Sequence, residues 1–178
     1  MSPVRRALLF AGAGGLAAAA GYAAHLWRLG SLGSSGTADA AAAILNSRLT
    51  ALDGTVQSLA AFRGKVLVIN YWATWCAPCR EEIPLFIRLQ GEFADKNLQF
   101  VGIAIDQVDK VRDFAKEFQI NYPVLLAGIE AMELSRQAGN KAGVLPYTLV
   151  LDRSGAIAVR LVGAISEARM RKELAPLL

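Results

Sequence analysis

The chain has 178 residues, 54% of them hydrophobic, and a formal net charge of +4. Arg5, Arg6 and Arg28 supply three of its 19 basic residues, and all 15 acidic residues lie beyond residue 28, so the chain after residue 28 is near neutral. That excludes a basic stripe for nucleic acid, and the length and apolar content suit one domain with appendages.

The first appendage is N-terminal. From Ala7 to Trp27 no residue carries a formal charge when His25 is neutral. Such a run is long enough to cross a bilayer as a helix. Arg5 and Arg6 in front of it hold the N-terminus in the cytoplasm and place the rest outside. Residues 1–28 therefore read as a signal anchor, which makes a single-pass protein of the cytoplasmic membrane with its C-terminal domain in the periplasm. The alternative is a cleaved signal peptide, with Ala18-Ala19-Ala20 as the cleavage site and a soluble periplasmic product. Arg5-Arg6 followed by Ala7-Leu8-Leu9 also half-resembles a twin-arginine signal. Gly30 to Ala43 is rich in small residues, so 29–45 is expected to be a flexible linker to a domain at 46–178.

Within that domain, Ala51 to Val56 predicts a hairpin turning at Asp53-Gly54. Val66-Leu67-Val68-Ile69 has the unbroken apolar character of a strand buried on both faces, running to Tyr71. Ile83, Phe86, Ile87 and Phe93 then recur at helical spacing. Between the two lie Cys76 and Cys79, the two cysteines of the chain, placed where a buried strand gives way to a helix. Leu98 to Ile105 predicts a second strand. Val111, Phe114, Ala115 and Phe118 mark a helix with Asp109 as its N-cap. Tyr122 to Leu126 predicts a short strand and Glu130 to Ala138 a short helix. Tyr147–Leu151 and Ala156–Leu161 are strands joined by Asp152-Arg153-Ser154-Gly155. Ser166 caps a last helix carrying Met170 and Leu174. The fold class is α/β, a mixed sheet covered by helices.

The position of the cysteines sets their chemistry. The first turn of a helix offers unpaired N–H groups and a partial positive charge, which stabilise a thiol as the reactive thiolate. Cys76 meets that turn first and is the expected nucleophile. Cys79, three residues on, shares its helical face and reaches back to it. A structural zinc site wants four ligands, and the one histidine, His25, lies in the N-terminal apolar run; no metal is expected. A disulfide closing so short a loop constrains little of the unfolded chain. The pair reads as a redox-active dithiol, with the Cys76–Cys79 disulfide as the redox group and no added cofactor.

A strand, a Cys-x-x-Cys at a helix start, a proline within that helix and a late hairpin entered through a proline resemble the thioredoxin fold. Trp72-Ala73-Thr74-Trp75-Cys76-Ala77-Pro78-Cys79-Arg80-Glu81-Glu82-Ile83-Pro84 resembles the TlpA/ResA/CcmG family of exported, often membrane-anchored thioredoxins. Leu52-Asp53-Gly54, Phe62-Arg63-Gly64-Lys65, an insertion at Asp109–Leu126, and Gly143-Val144-Leu145-Pro146-Tyr147-Thr148 followed by Leu151-Asp152 fit the same pattern. The resemblance implies a thioredoxin-like central mixed sheet flanked by helices, with an N-terminal hairpin and a central insertion. It matches Pro146 to the family's cis-proline beside the dithiol, which lets the backbone of Leu145 pair with a substrate segment. It places Trp75 as a shield over the dithiol and, with Pro78, Leu145 and Pro146, on the partner-contact surface. Trp72 reads as core, and Pro84 as a shape-setting kink. Ordinary thioredoxins bear a buried carboxylate six residues before the first cysteine, where this chain has Asn70. The resemblance offers Glu82 instead, three residues after Cys79, to accept or return the proton of Cys79. A solvated glutamate near a helix N-terminus is the other reading of Glu82. Glu81 points away from that face.

The implied activity is thiol–disulfide exchange on protein disulfides outside the cytoplasmic membrane, chiefly as a reductase. The resemblance brings electrons from a membrane thiol-transfer protein and sends them to apocytochrome c or copper-site proteins. Two other readings share the fold. A peroxiredoxin-like peroxidase resembles Thr-x-x-Cys with a distant resolving cysteine, whereas Thr74 stands two residues before Cys76 and no third cysteine exists. A copper-handling protein resembles Cys-x-x-x-Cys plus a histidine, and no histidine follows residue 28.

Overall fold

A computed structural model describes Gly21, Tyr22, His25 and residues 36–178. Apart from those three helical residues, the proposed anchor and the first part of the linker lie outside the described residues. Among the described residues no helix is long and apolar enough to cross a membrane. The chain divides into two units between Gly36 and Thr37, and the second, Thr37–Leu178, holds the sheet and the dithiol.

Strands β1 (Arg48–Ala51), β2 (Val56–Ser58), β3 (Val66–Trp72), β4 (Leu98–Ala104), β5 (Val124–Leu126), β6 (Tyr147–Leu151) and β7 (Ile157–Val162) form one sheet among the described residues. Their order is β2-β1-β5-β4-β3-β6-β7. The β3–β4 and β4–β5 pairs are parallel and the others antiparallel. The helices are α1 (residues 36–46), α2 (Ala77–Phe93), α3 (Val108–Glu117), α4 (Ile129–Gln137) and α5 (Glu167–Leu174). The expected insertion contributes α3 and β5, so it extends the sheet between β4 and the N-terminal hairpin. That hairpin turns where expected: Gly54 has φ +86°, and Asp53 Oδ1 accepts from the Thr55 N–H at 2.9 Å.

All seven residues of β3 are buried, because helices cover both faces of the sheet. Side chains alternate across a strand. Val66, Val68 and Trp72 pack with Ile83, Phe86 and Leu89 of α2, Val111 and Phe114 of α3, and Met170 and Leu174 of α5. Leu67, Ile69 and Tyr71 pack on the other side with Ala40, Ile44 and Leu45 of α1 and Ala131 of α4. Gly102 of β4 serves a close approach, since a Cβ there would meet Trp72 Nε1 at 2.9 Å.

Two expectations are corrected. The flexible linker over 29–45 is helical from residue 36, and Ala40, Ala41, Ile44 and Leu45 are buried. Alanine is small but is also the strongest helix former, and α1 shares the cover of the second face of the sheet with α4. Asp109 is not an N-cap. Gln107 holds the cap position of α3, and Asp109 lies inside the first turn, paired with Arg112 Nη1 at 2.9 Å. The helix starts early because β4 ends at Ala104 and Asp106 already bonds the Gln107 N–H, at 2.7 Å.

Ile44 is 1% exposed. Ile44→Ala should lower unfolding stability by about 2–4 kcal/mol, the usual result of emptying a packed site. Chemical denaturation measures this; a change within about 0.5 kcal/mol, typical of a surface position, would return residues 36–46 to the role of a linker.

Candidate active site

The dithiol sits at the C-terminal end of β3, where the chain leaves the sheet and turns into α2. Cys76 and Cys79 are joined, with an S–S distance of 2.02 Å. Cys76 is the N-cap residue of α2, and its carbonyl accepts from the Arg80 N–H at 3.1 Å. No side chain caps this helix, so its unpaired first-turn N–H groups and their partial positive charge remain beside Cys76. Pro78 stands in that first turn, where its missing N–H costs no helical bond. Cys76 is 6% exposed and Cys79 0%. The first sulfur thus lies near the surface and the second beneath it.

Around this pair, the structure places the expected residues as follows. Trp75 is 68% exposed and Pro78 is exposed, while Trp72 is buried in the core and lies 5.1 Å from Phe114, ring centre to ring centre. The Leu145–Pro146 bond is cis. Pro146 is buried and its carbonyl accepts from the Gly163 N–H at 2.9 Å. Leu145 is half-buried and packs against the apolar cluster that contains both cysteines. Pro84 lies inside α2. Glu81 is exposed and Glu82 is not.

Glu82 is 3% exposed. Its Oε1 accepts from Asn70 Nδ2 at 2.8 Å and its Oε2 from the Ile165 N–H at 3.3 Å. Burial pushes its carboxyl up to about 7, against the opposing effect of these two hydrogen bonds. A carboxyl with that proton affinity exchanges protons near neutral pH. The alternation of β3 turns Asn70 to the α2 side, between Val68 and Trp72. The helix brings Glu82 to meet it, on the same face as Cys79.

Several residues that the sequence did not single out hold the site. Asp106 Oδ2 accepts from the Thr74 N–H at 3.1 Å and from the Thr74 hydroxyl, which pins the approach to Cys76. Burial alone would raise the Asp106 carboxyl, but the Thr74 and Gln107 hydrogen bonds outweigh it and hold it below the usual carboxylate range. The signal was available in the parallel register, Trp72 opposite Ala104, which sets positions 74 and 106 side by side. Asn140, 2% exposed, donates to the Val144 carbonyl and accepts from the Val144 N–H, both at 3.0 Å. It clamps the loop that leads into Pro146. Thr148 Oγ1 accepts from Asn70 Nδ2 at 3.0 Å. Among the described residues no group of three or more His, Cys, Asp or Glu side chains could hold a metal ion.

The AhpC/TSA family model matches residues 40–160. The thioredoxin-like protein YneN of Bacillus subtilis is 35% identical over 132 residues, covering 71% of this chain and 73% of that protein. The thiol-disulfide oxidoreductase ResA of Geobacillus kaustophilus is 27% identical over 127 residues, covering 71% of each. Among solved structures, a thiol:disulfide interchange protein of the thioredoxin family from Chlorobium tepidum shares 32% identity. It superposes with a TM-score of 0.67 over 74% of this chain and 92% of its own. With a bonded Cys-x-x-Cys at the head of α2 and a cis-proline loop, the chain belongs to the AhpC/TSA family and is a thiol–disulfide oxidoreductase of thioredoxin-like fold.

Proposed function

We propose that the chain is a protein disulfide reductase that works outside the cytoplasmic membrane, with Cys76 as nucleophile, Cys79 as resolving thiol and Glu82 as proton acceptor. One observation carries the reading: a near-surface sulfur at a helix N-terminus, a buried sulfur beneath it, and a buried carboxyl on the same helical face as the second sulfur. In the reduced protein the Cys76 thiolate attacks one sulfur of a client disulfide. A mixed disulfide forms and the other client sulfur leaves as thiolate. Glu82, as carboxylate, takes the proton of Cys79. The Cys79 thiolate then attacks the Cys76 sulfur, forms the Cys76–Cys79 disulfide and releases the second client thiolate. Two electrons have passed from the protein to its client, and a membrane thiol-transfer protein restores them.

Exposed Trp75 and Pro78, with the cis-proline loop at Leu145 and Pro146, form the surface on which a client segment docks. The names of the relatives, an oxidoreductase and an interchange protein, support exchange with protein thiols. The charge pattern of residues 1–28 supports an N-terminal membrane anchor and an exported domain. The clients that fit are apocytochrome c and copper-site proteins, whose cysteines need a dedicated reductant in an oxidising compartment. Both cysteines of the chain are held in this one pair, which favours exchange over a peroxidase with a distant resolving cysteine.

Cys76→Ser should abolish turnover of a model disulfide, whereas Cys79→Ser should accumulate mixed disulfides visible on non-reducing gels. Full activity in both variants would refute the mechanism. Glu82 accepts a proton only as carboxylate, so the rate of mixed-disulfide resolution should rise as pH climbs through about 7. Glu82→Gln should flatten that rise and slow resolution by roughly tenfold or more; an unchanged stopped-flow profile would return Glu82 to a structural role. Stability should follow the same group. The folded chain favours the protonated carboxyl, so its contribution is complete below the ordinary value of 4.5 and is lost as pH rises through about 7. The loss should be about 3 kcal/mol. Urea unfolding of the oxidised protein between pH 4 and 8 should show that slope in the wild type and lose it in Glu82→Gln.

A further inference from the structure

Asn70 and Thr148 face each other directly across the β3–β6 pair. They are 1% and 0% exposed. The two hydrogens of Asn70 Nδ2 go to Glu82 Oε1 at 2.8 Å and to Thr148 Oγ1 at 3.0 Å. The other end of the same amide, Asn70 Oδ1, is buried with no hydrogen-bond partner among the described residues. A buried amide oxygen without a partner is unfavourable and calls for an explanation. Here the amide gives up its acceptor end to keep both donors engaged. Turned over, it would set a carbonyl oxygen against the Glu82 carboxylate, two acceptors facing each other with no hydrogen between them.

We propose that Thr148 is a positioning residue for proton transfer at Cys79: by accepting the second hydrogen of the Asn70 amide it keeps the donor end of that amide against Glu82. The proposal rests on the reading of Glu82 as the proton acceptor. A hydroxyl is the group this task requires, because it accepts from Nδ2 while Glu82 is charged. Thr148 also stands two residues after Pro146, as the second residue of β6, so one short segment carries both the cis-proline loop and the residue that orients the amide under the dithiol. The other groups on Glu82 are placed differently. Ile165 donates its backbone N–H from the β7–α5 connection, Cys79 precedes Glu82 on α2, and Tyr122 approaches from the segment before β5. Burial, and then the charge of Glu82, hold the Tyr122 phenol above its ordinary range. None of these can replace the Thr148 hydroxyl at the far hydrogen of Asn70.

The test follows the Glu82 carboxyl itself. The 13C resonance of its side-chain carboxyl is titrated in the full-length oxidised protein, and Glu82→Gln assigns the signal by its loss. Thr148→Val keeps the shape of the side chain and removes the hydroxyl. It frees the amide to turn its oxygen toward a protonated carboxyl, so the midpoint should move upward by about half a pH unit or more. Thr148→Ser restores the hydroxyl and should bring the midpoint back to the wild-type position. The pH profile of mixed-disulfide resolution should move with it. Should Thr148→Val fold poorly, Thr148→Ala removes the same hydroxyl with less crowding and should give the same shift. Wild-type midpoints in the hydroxyl-free variants, with or without a fall in melting temperature, would overturn the proposal and leave Thr148 a packing residue. Shifted midpoints with a resolution profile that ignores Glu82→Gln would instead overturn the proton-transfer reading on which the proposal rests.

Discussion

The site depends on one buried contact, the meeting of Glu82 on α2 with Asn70 on β3. A carboxyl that is 3% exposed is expensive to keep charged in such surroundings. It is tolerated because Asn70 and the Ile165 N–H each give one of its oxygens a donor. The balance leaves a group that holds its proton to about pH 7 and can release it within the ordinary working range. Its neighbours follow from that requirement. The α2 face of β3 carries a polar residue at Asn70 in an otherwise apolar row, and β6 sets Thr148 opposite it.

The same packing separates the two sulfurs by depth. Cys76 lies at the helix start near the surface, beside the partial positive charge of the first turn, while Cys79 is fully covered. The surface side is held by contacts from other parts of the chain. Asp106 fixes Thr74 just before Trp75, and Asn140 fixes Val144 just before Leu145 and Pro146. The two loops proposed to meet a client are thus held by one buried or half-buried polar side chain each.

Much of this was legible from residues alone. The apolar run of β3, the cysteines at its end and the helical spacing after them locate the dithiol, and the turn at Asp53-Gly54 and the cap at Ser166 stand as read. What escaped has physical causes. The helix at 36–46 was hidden because composition weighed small residues as flexible, while Ala40, Ala41, Ile44 and Leu45 fall on one helical face and cover the sheet. Residue type points to Asp109 as a cap, but where a helix begins is decided by where the preceding strand releases the chain, and Asp106 and Gln107 sit nearer that point. Asp106 and Thr148 lie far in sequence from the Thr74 and Asn70 they hold, and only sheet register brings them in, while Asn140 closes a short loop onto Val144.

The central claim is that the two thiols divide the work, Cys76 as near-surface thiolate and Cys79 as covered thiol. Alkylation of the fully reduced protein across pH, with the labelled cysteine identified by peptide mass, tests it most directly. The account predicts that Cys76 is modified first, at pH values below the ordinary thiol range, while Cys79 stays unlabelled until the protein unfolds. Equal labelling of both, or labelling of Cys79 first, would contradict it.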